Sequence, residues 1–386
     1  MKRVSCIVGI GLVLLFFLMP AVFAADGFGV NTTGGEGGTT AVVDNALEFK
    51  EFVETADVPY VVRVSGTIDL GSIGGRVNIR SNKTIQGLDP NATITGQLSF
   101  KSGSANIIIE RLNITNPGLY GEGDGISLKE DISDVFITKC TFYDCQDGCL
   151  DITRRSDRIT VSWCKFYFTA SNSKQSRVSL VGSSDSAADD LGRLHITFHH
   201  NWFGPLCWQR IPSVRYGRVH IYNNYYNCPG NLYCVRSRIQ AECLIENNYF
   251  DSVKDPYYIY VHDPGEIIGK IKASDNVFVN CTGRIDDGDD DVYVPPYSYT
   301  MDNTLDVPTV VQLGAGADGV DFFPHWLFGP YGDFDRNGTV DAADLSQFVD
   351  YWLRNDIAEA DYNQDGIVNS FEFAIFAGNW LQSIAY

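Results

Sequence analysis

The sequence predicts an all-β fold, a right-handed single-stranded parallel β-helix, followed by a small all-α module with two calcium loops. Short apolar segments recur through the central region at a spacing typical of solenoids, and helical periodicity is nearly absent there. A second repeat, of 28 residues and rich in Asp and Asn, occupies the C-terminus. The first repeat predicts the β-helix, and the second predicts the module.

Each central segment ends in an aromatic residue, and these aromatics lie 24, 37, 23, 24 and 28 residues apart. They are Phe142, Phe166, Phe203, Tyr226, Phe250 and Phe278. Two positions before them stand, in the same order, Cys140, Cys164, Asn201, Asn224, Asn248 and Asn276. This register predicts one strand and one coil per repeat, interior cysteines and a stacked ladder of asparagines. A β-sandwich would need hairpin turns and closer strand spacing.

The N-terminus has the features of a secretory signal. Lys2 and Arg3 precede a short apolar run, and small residues at positions −3 and −1 indicate cleavage after Ala24. An uncleaved anchor is the alternative, although the run is short for a bilayer span. We therefore expect a secreted protein, extracellular or at the cell surface. The predicted domains are a signal peptide over 1–24, a β-helix over 25–327 and the calcium-loop module over 328–386.

Charge limits the partners that this protein can have. The sequence contains 48 Asp and Glu but 29 Lys and Arg, which gives a formal net charge of −19. Such a surface repels nucleic acids and anionic lipids, and it repels an acidic polymer unless a cation or a basic cluster intervenes. Nine cysteines follow the predicted signal, and no spacing of cysteines with histidines predicts a zinc site.

The C-terminal repeat has the spacing of calcium-binding loops. Oxygen-bearing side chains occupy loop positions 1, 3, 5, 9 and 12 in both copies, with glycine at position 6. The predicted ligands are Asp333, Asp335, Asn337, Asp341 and Asp344, then Asp361, Asn363, Asp365, Asn369 and Glu372. Segment 332–386 resembles a dockerin, which implies bound Ca²⁺ and a cohesin-like protein as partner. A purely structural calcium module is the alternative.

A basic segment lies in the middle of the predicted β-helix. Arg210 and Arg215 flank Pro212 and invite an anionic ligand on a chain that is otherwise strongly acidic. Alternate residues of a strand face opposite sides. The two arginines therefore share a face only if the alternation breaks between them.

Three aspartates upstream are candidates for acid–base or metal chemistry. Asp147 and Asp151 would lie about 13 Å apart on an ideal strand, so both can hold one ion only if the chain turns near Gly148. Asp124 lies one coil earlier. Paired carboxylates of this kind indicate either acid–base hydrolysis of a glycoside or binding of calcium.

Several motifs are shared with a known family, and the most specific is Arg-x-Pro-x-x-Arg. The motifs are TGGEGG at 33–38, VSGTI at 64–68, VGSSD at 181–185, HHN at 199–201, RIPSVR at 210–215 and NNYY at 223–226. With these motifs, residues 27–316 resemble the pectate lyases of polysaccharide lyase family one. The resemblance implies a right-handed parallel β-helix that cleaves polygalacturonate, the backbone of pectin, by calcium-dependent β-elimination.

The resemblance also implies roles for individual residues. Asp124, Asp147 and Asp151 match calcium ligands, Arg210 matches the base, and Arg215 matches a substrate-binding arginine. The lysine that usually binds the substrate carboxylate aligns with Arg177, and Lys174 is the alternative. A further departure is Phe136–Lys139, where many relatives carry Trp-Ile-Asp-His; we expect it to affect packing more than chemistry.

The residues leave other functions open. A polygalacturonase-like hydrolase would use the same aspartates in the same fold, and a non-catalytic pectin-binding protein would need no base. The presence of Arg210 disfavours the binding protein, and the aspartates disfavour a calcium-independent pectin lyase. The acidic run 286–291 is expected to be a solvated turn, with another calcium site as the alternative. We expect a monomer.

Overall fold

The computed structural model describes residues 25–118, 120–169, 176–319 and 339–352, together with residues 368, 373, 376 and 377. The predicted signal peptide, the boundary between 327 and 328, and Lys174 lie outside the described residues. So do eight of the ten predicted loop ligands: Asp333, Asp335, Asn337, Asp361, Asn363, Asp365, Asn369 and Glu372. The domain boundaries stay predictions.

The described strands form three parallel sheets, A, B and C. Sheet A contains, in hydrogen-bonding order, β1 (Thr39–Val43), β2 (Tyr60–Val64), β5 (Lys83–Gly87), β8 (Ala105–Glu110), β11 (Ser133–Thr138), β14 (Asp157–Ser162), β17 (His195–His199), β20 (Arg218–Tyr222), β23 (Glu242–Glu246) and β26 (Lys270–Ser274). Sheet B contains β3 (Thr67–Asp69), β6 (Thr93–Thr95), β9 (Asn113–Thr115), β12 (Thr141–Tyr143), β15 (Lys165–Tyr167), β18 (Trp202–Phe203), β21 (Tyr225–Tyr226), β24 (Tyr249–Asp251) and β27 (Val277–Val279). Sheet C contains β4 (Arg76–Ile79), β7 (Gln97–Phe100), β10 (Ile126–Leu128), β13 (Leu150–Ile152), β16 (Leu180–Val181), β19 (Ser213–Val214), β22 (Val235–Ser237) and β25 (Tyr257–Ile259). Because the chain enters the sheets in turn and pairs with the previous coil each time, the predicted parallel β-helix is confirmed.

Each predicted central strand is in fact two strands, one in sheet A and one in sheet B. The repeat does not predict this division, because one residue with a left-handed backbone separates the two strands. That residue always directly precedes the Cys or Asn that stands two positions before the closing aromatic. In order, the residues and their φ angles are Lys139 (53°), Trp163 (51°), His200 (52°), Asn223 (52°), Asn247 (55°) and Asp275 (56°). A single left-handed residue turns the chain without adding a loop.

The interior contains the ladders that the repeat predicts. The closing aromatics stack from coil to coil, with ring centroids 4.4–5.4 Å apart from Phe142 to Phe278. Asn224 donates from Nδ2 to the carbonyl oxygens of Phe198 and Tyr222, and its Oδ1 accepts from the backbone N–H of Asn201 at 2.9 Å. Cys140 and Cys164 are fully buried in the core, as predicted.

Helices lie at the periphery of the coils. Helix α1 (Ala46–Glu54) begins at Asn45, whose side chain accepts from the backbone N–H of Glu48, and it buries Phe49 in the core. Helix α2 (Val307–Gly314) packs on aromatic side chains outside sheet B. Short 3₁₀ helices span Gly27–Gly29, Leu70–Ile73 and Ala188–Asp190.

A segment without regular structure crosses the outside of sheet A; we call residues 291–306 the C-terminal strap. Tyr297 Oη lies 2.9 Å from His220 Nδ1, and Asp302 Oδ2 lies 3.0 Å from His200 Nε2. Near the start of the described chain, Asp26 Oδ1 lies 3.0 Å from His199 Nε2. Buried histidines in sheet A (His199 and His220) and directly after β17 (His200) therefore contact both ends of the described β-helix chain.

The described part of the C-terminal module has its own apolar cluster. Helix α3 (Ala342–Tyr351) begins with a capping box, in which Asp341 accepts from Ala343 N–H and Asp344 accepts from Asp341 N–H. Val340 and Val368, which are 28 residues apart, are both fully buried, and the rings of Phe348 and Phe376 stack at 5.3 Å. The two predicted repeats thus pack through equivalent residues.

The nine described cysteines are free thiols, and eight of them are buried. In the part of the chain that the structure describes, no helix combines the length and apolar character needed to cross a membrane.

Candidate active site

The predicted site residues gather on the outer face of sheet C. Its register places one outward residue of each coil in the Asp151 row: Ser127, Asp151, Leu180, Ser213, Arg236 and Tyr258. The backbone bonds continue two residues further, which gives the Arg215 row: Lys129, Thr153, Gly182, Arg215, Arg238 and Tyr260. The residues between the rows, such as Ile152, Val181 and Val214, face the core. Strand alternation therefore produces a polar, charged outer face.

The carboxylates of Asp124 and Asp151 converge over Gly148. Asp124 Oδ1 accepts from Gly148 N–H at 3.2 Å, and Asp151 Oδ1 accepts from Leu180 N–H at 3.0 Å. An ideal Cβ on Gly148 would lie 2.7 Å from Asp151 Oδ1 and 3.2 Å from Asp124 Oδ1. The chain bends on both sides of Gly148, at Asp147 and at Cys149. The chain therefore does not run straight through Gly148, which is the condition that the sequence set for a shared ion.

Burial disfavours the charged form of both carboxylates, and repulsion from neighbouring aspartates adds to this effect. Burial, followed by the charges of Asp151 and Asp147, raises the pKa of Asp124 to about 8. Burial also raises the pKa of Asp151 to about 6. The hydrogen bond from Leu180 N–H and the nearby charges of Arg210 and Lys129 oppose this increase. Carboxylates that repel one another in a desolvated site favour a cation between them.

Asp147 makes a different contact from the other two aspartates. Its carboxylate accepts a hydrogen bond from the guanidinium of Arg177. Arg177 lies in the next coil and pairs with Gly148 in a parallel β-bridge. Among the residues that the structure describes, no three His, Cys, Asp or Glu side chains already stand as a metal-binding group. The donor set still fits calcium, because Asp124 and Asp151 face one point and Asp147 can join them by exchanging its arginine partner.

The two arginines of the basic segment lie in different surroundings. Ile211 and Val214 are both in the core, so the strand alternation breaks between them and leaves Arg210 and Arg215 on the outer face. Arg215 donates to Asp185 Oδ1 at 2.6 Å and to the Gly182 carbonyl oxygen at 3.2 Å. Within the described residues, the Arg210 guanidinium has no ion-pair partner, and its charge acts on Asp151.

Sequence reasoning missed the residue that holds Arg215 in place. Asp185 binds Arg215 and, through Oδ2 at 2.6 Å, Arg238 of the next coil. It lies in the VGSSD motif, which was the signal available. The acidic run 286–291 is partly used by the fold, since Asp286 accepts from Ile259 N–H and Asp290 accepts from Ile271 N–H.

Comparison with known proteins agrees with this fold. Residues 4–280 match the family model described as pectate lyase, and residues 331–378 match the dockerin type I domain. The pectate trisaccharide-lyase of Bacillus licheniformis is 34% identical over 312 residues, which cover 77% of this chain and 87% of that protein. The pectate trisaccharide-lyase of Thermotoga maritima is 33% identical over 323 residues, covering 74% and 84%.

A solved pectate lyase from Bacillus sp. N165, in complex with trigalacturonate, superposes with a TM-score of 0.64 at 27% identity and covers 76% of this chain and 98% of that one. These matches define the class, a polysaccharide lyase on a parallel β-helix. The chain belongs to the pectate lyase family and continues into a dockerin type I domain.

Proposed function

We propose that this protein is an exported, calcium-dependent lyase of de-esterified pectin that cleaves polygalacturonate by β-elimination. The observation that carries the proposal is the position of Arg210, an arginine without an ion-pair partner in the described chain, beside the Asp124–Asp151 carboxylates on one outer face. The trigalacturonate complex of the Bacillus sp. N165 lyase and the names of the two trisaccharide-lyases support an oligogalacturonate substrate.

Arg210 acts as the base in the proposed reaction. Its guanidine group removes the proton on carbon 5 of a galacturonate unit, next to the carboxylate. The electron pair of that C–H bond forms the double bond between carbons 4 and 5, and the glycosidic bond from carbon 4 to oxygen breaks. The leaving oxygen then takes a proton.

Asp124, Asp151 and Asp147 would hold the calcium ion, and Arg215 and Arg177 would bind the substrate carboxylate. Calcium held there would supply positive charge that attracts the substrate carboxylate and favours the anion formed at carbon 5. Both arginines already bind aspartates, Asp185 and Asp147, so each is oriented toward the outer face before substrate arrives. Lys174 is the alternative to Arg177.

The charge of the protein is consistent with this mechanism. A chain with a formal net charge of −19 repels polygalacturonate. A cation held by the carboxylates would offset that repulsion at the site. Export through the predicted signal and attachment to a cohesin-like protein through the calcium-loaded dockerin would place the enzyme, as a monomer, where plant polysaccharide is accessible.

Cleavage of polygalacturonate, measured with calcium and with a chelator, tests the proposal. We expect ultraviolet absorbance from the unsaturated product end with calcium and none with the chelator. New reducing ends without that absorbance would indicate hydrolysis by the same aspartates. Binding of the polymer without any cleavage would indicate a pectin-binding protein.

A further inference from the structure

Lys129 is a cation of the outer face to which neither the fold nor the proposed reaction gives a role. It follows β10 in the Arg215 row, one coil before Asp151. Its side chain is 28% exposed and pairs with Glu122 of the loop that leads to Asp124. Lys129 and Asp151 both lie in rows that face outward from sheet C, so the side chain of Lys129 is on the same side of the sheet as the carboxylates.

The contacts of Lys129 differ from those of lysines that stabilise this fold. Lys83 is fully buried and donates to the carbonyl oxygens of Val58 and Ser81, at 2.8 and 2.7 Å. Lys139 is buried and donates to the Gly314 carbonyl oxygen at 2.8 Å. Lys129 instead pairs with a carboxylate that is 56% exposed. Exposed pairs of this kind add little stability and exchange partners readily.

Lys129 and Arg210 lie on opposite sides of Asp151 along the axis of the β-helix. Lys129 belongs to the coil of β10, Asp151 to β13, and Arg210 precedes β19, two coils further on. With about 4.8 Å between neighbouring strands, the two cations are separated by about 14 Å along the axis. A polymer that reaches Arg210 and continues over the carboxylates therefore comes to Lys129 next.

We infer that Lys129 binds the carboxylate of a galacturonate unit beyond the one that reacts, and exchanges Glu122 for the substrate. This inference rests on the proposed function and extends its site toward the N-terminal coils. An ammonium and a carboxylate form a charge-assisted hydrogen bond. The same positive charge repels calcium, so Lys129 strengthens binding of the polymer and weakens binding of the metal. These opposite effects distinguish the assigned role from a structural one.

The test compares four variants of the full-length protein. Lys129→Ala removes the cation, and Glu122→Gln frees it. The double variant Lys129→Ala/Glu122→Gln has the same local net charge as the wild type but lacks the ammonium group. Lys50→Ala is the matched control, because Lys50 forms an exposed pair with Glu54, at 4.0 Å, on helix α1.

The measurements are KM and kcat for polygalacturonate, and calcium binding by calorimetry without substrate. We expect Lys129→Ala to raise KM about fivefold, with kcat within twofold, and to bind calcium about twofold more tightly. The double variant should keep the raised KM, and Lys50→Ala should change neither quantity. Recovery of the wild-type KM in the double variant would show that local net charge controls KM. It would refute direct binding of the substrate by Lys129. An unchanged KM in Lys129→Ala would also overturn it.

Binding of hexagalacturonate in the Arg210→Lys background provides a readout that needs no turnover. Lys129→Ala should raise the Kd about fivefold there as well. A wild-type protein that shows no elimination would refute the proposed function alone, because this Kd comparison still decides whether Lys129 binds the ligand.

Discussion

Arg210 shows how a single residue gives the site its geometry. Its backbone is left-handed, with φ of 58°, and its carbonyl oxygen accepts from Ser179 N–H at 2.7 Å. The next residue, Ile211, is buried in the core. The hydrogen bond from Ser179 and the burial of Ile211 therefore fix the backbone that directs the side chain of Arg210 outward.

Replacing Arg210 with lysine tests the base directly. We expect Arg210→Lys to lose about 100-fold or more in kcat, because a shorter amine without a planar fork cannot reach the same proton. Binding of calcium and of polygalacturonate should stay within about threefold. Steady-state kinetics and calorimetry measure both quantities. Activity above a tenth of the wild-type value would remove Arg210 from the role of base.

At the scale of elements, the asparagine ladder replaces backbone bonds that the turn between sheets A and B cannot make. Asn224 bonds backbone groups of two coils and also accepts from Asn201 Nδ2 at 3.0 Å. Asn276, at the end of the ladder, is half-buried and donates to the Ile245 carbonyl oxygen at 2.8 Å. The cost of losing an amide should therefore decrease toward the end of the solenoid.

We expect Asn224→Ala to lower the free energy of unfolding by about 3 kcal/mol, because it leaves buried backbone groups of adjacent coils without partners. Asn276→Ala is the matched control and should cost less than half as much, since water reaches its position. Denaturant unfolding of both variants measures the difference. Equal losses of unfolding free energy would mean that the stabilisation by each asparagine does not depend on its burial.

We expect acid to destabilise the contacts between the C-terminal strap and the buried histidines. Burial lowers the pKa of His200, although the carboxylates of Asp302 and Asp26 oppose the change; His199, Asn223 and the Trp163 ring complete its surroundings. The unfolded state therefore binds more protons than the folded state just below the ordinary histidine pKa. Stability increases with pH through that range and is lost as the pH falls below about 6.5.

Thermal melting between about pH 7 and about pH 5 measures this effect. We expect the wild-type Tm to fall with the pH, and His200→Gln to have a weaker pH dependence. His262→Gln is the control, because His262 is exposed and lies outside the strap contacts. A pH dependence that is the same in all three proteins would assign the acid sensitivity to other groups, such as His220 with its half-buried partner Glu246.

For the whole molecule, two predicted calcium systems serve different parts of the chain. One is formed by Asp124, Asp147 and Asp151 on the β-helix, and the other by the dockerin loops, whose repeats pack through their own apolar cluster. A metal that links a loop to its helix contributes to the folding of that module alone.

We expect Asp147→Ala to abolish cleavage and to leave the calcium-dependent melting of the module unchanged. Asp361→Ala should loosen the module and leave cleavage unchanged. Cleavage assays and melting curves at saturating calcium measure both variants. A tenfold loss of activity in Asp361→Ala would make the module part of the enzyme rather than an independent attachment domain.

The sequence by itself determined the β-helix, the interior ladders and the residues gathered around the site. These features repeat in register or lie within one motif, so strand alternation and loop spacing predict them. Asn201, Asn224, Asn248 and Asn276 align in the sequence alone, and a turn near Gly148 is required if Asp147 and Asp151 hold one ion.

Only the tertiary structure decided which charges pair. Arg177 with Asp147, Arg215 with Asp185, and Lys129 with Glu122 are contacts whose geometry depends on coil length and on the rotation of each turn. The division of each repeat into two strands also required the structure, because left-handed backbone at Lys139 or Trp163 has no sequence signature comparable to glycine. Periodic burial is a property of the local sequence, whereas ion pairing depends on where distant coils place their side chains.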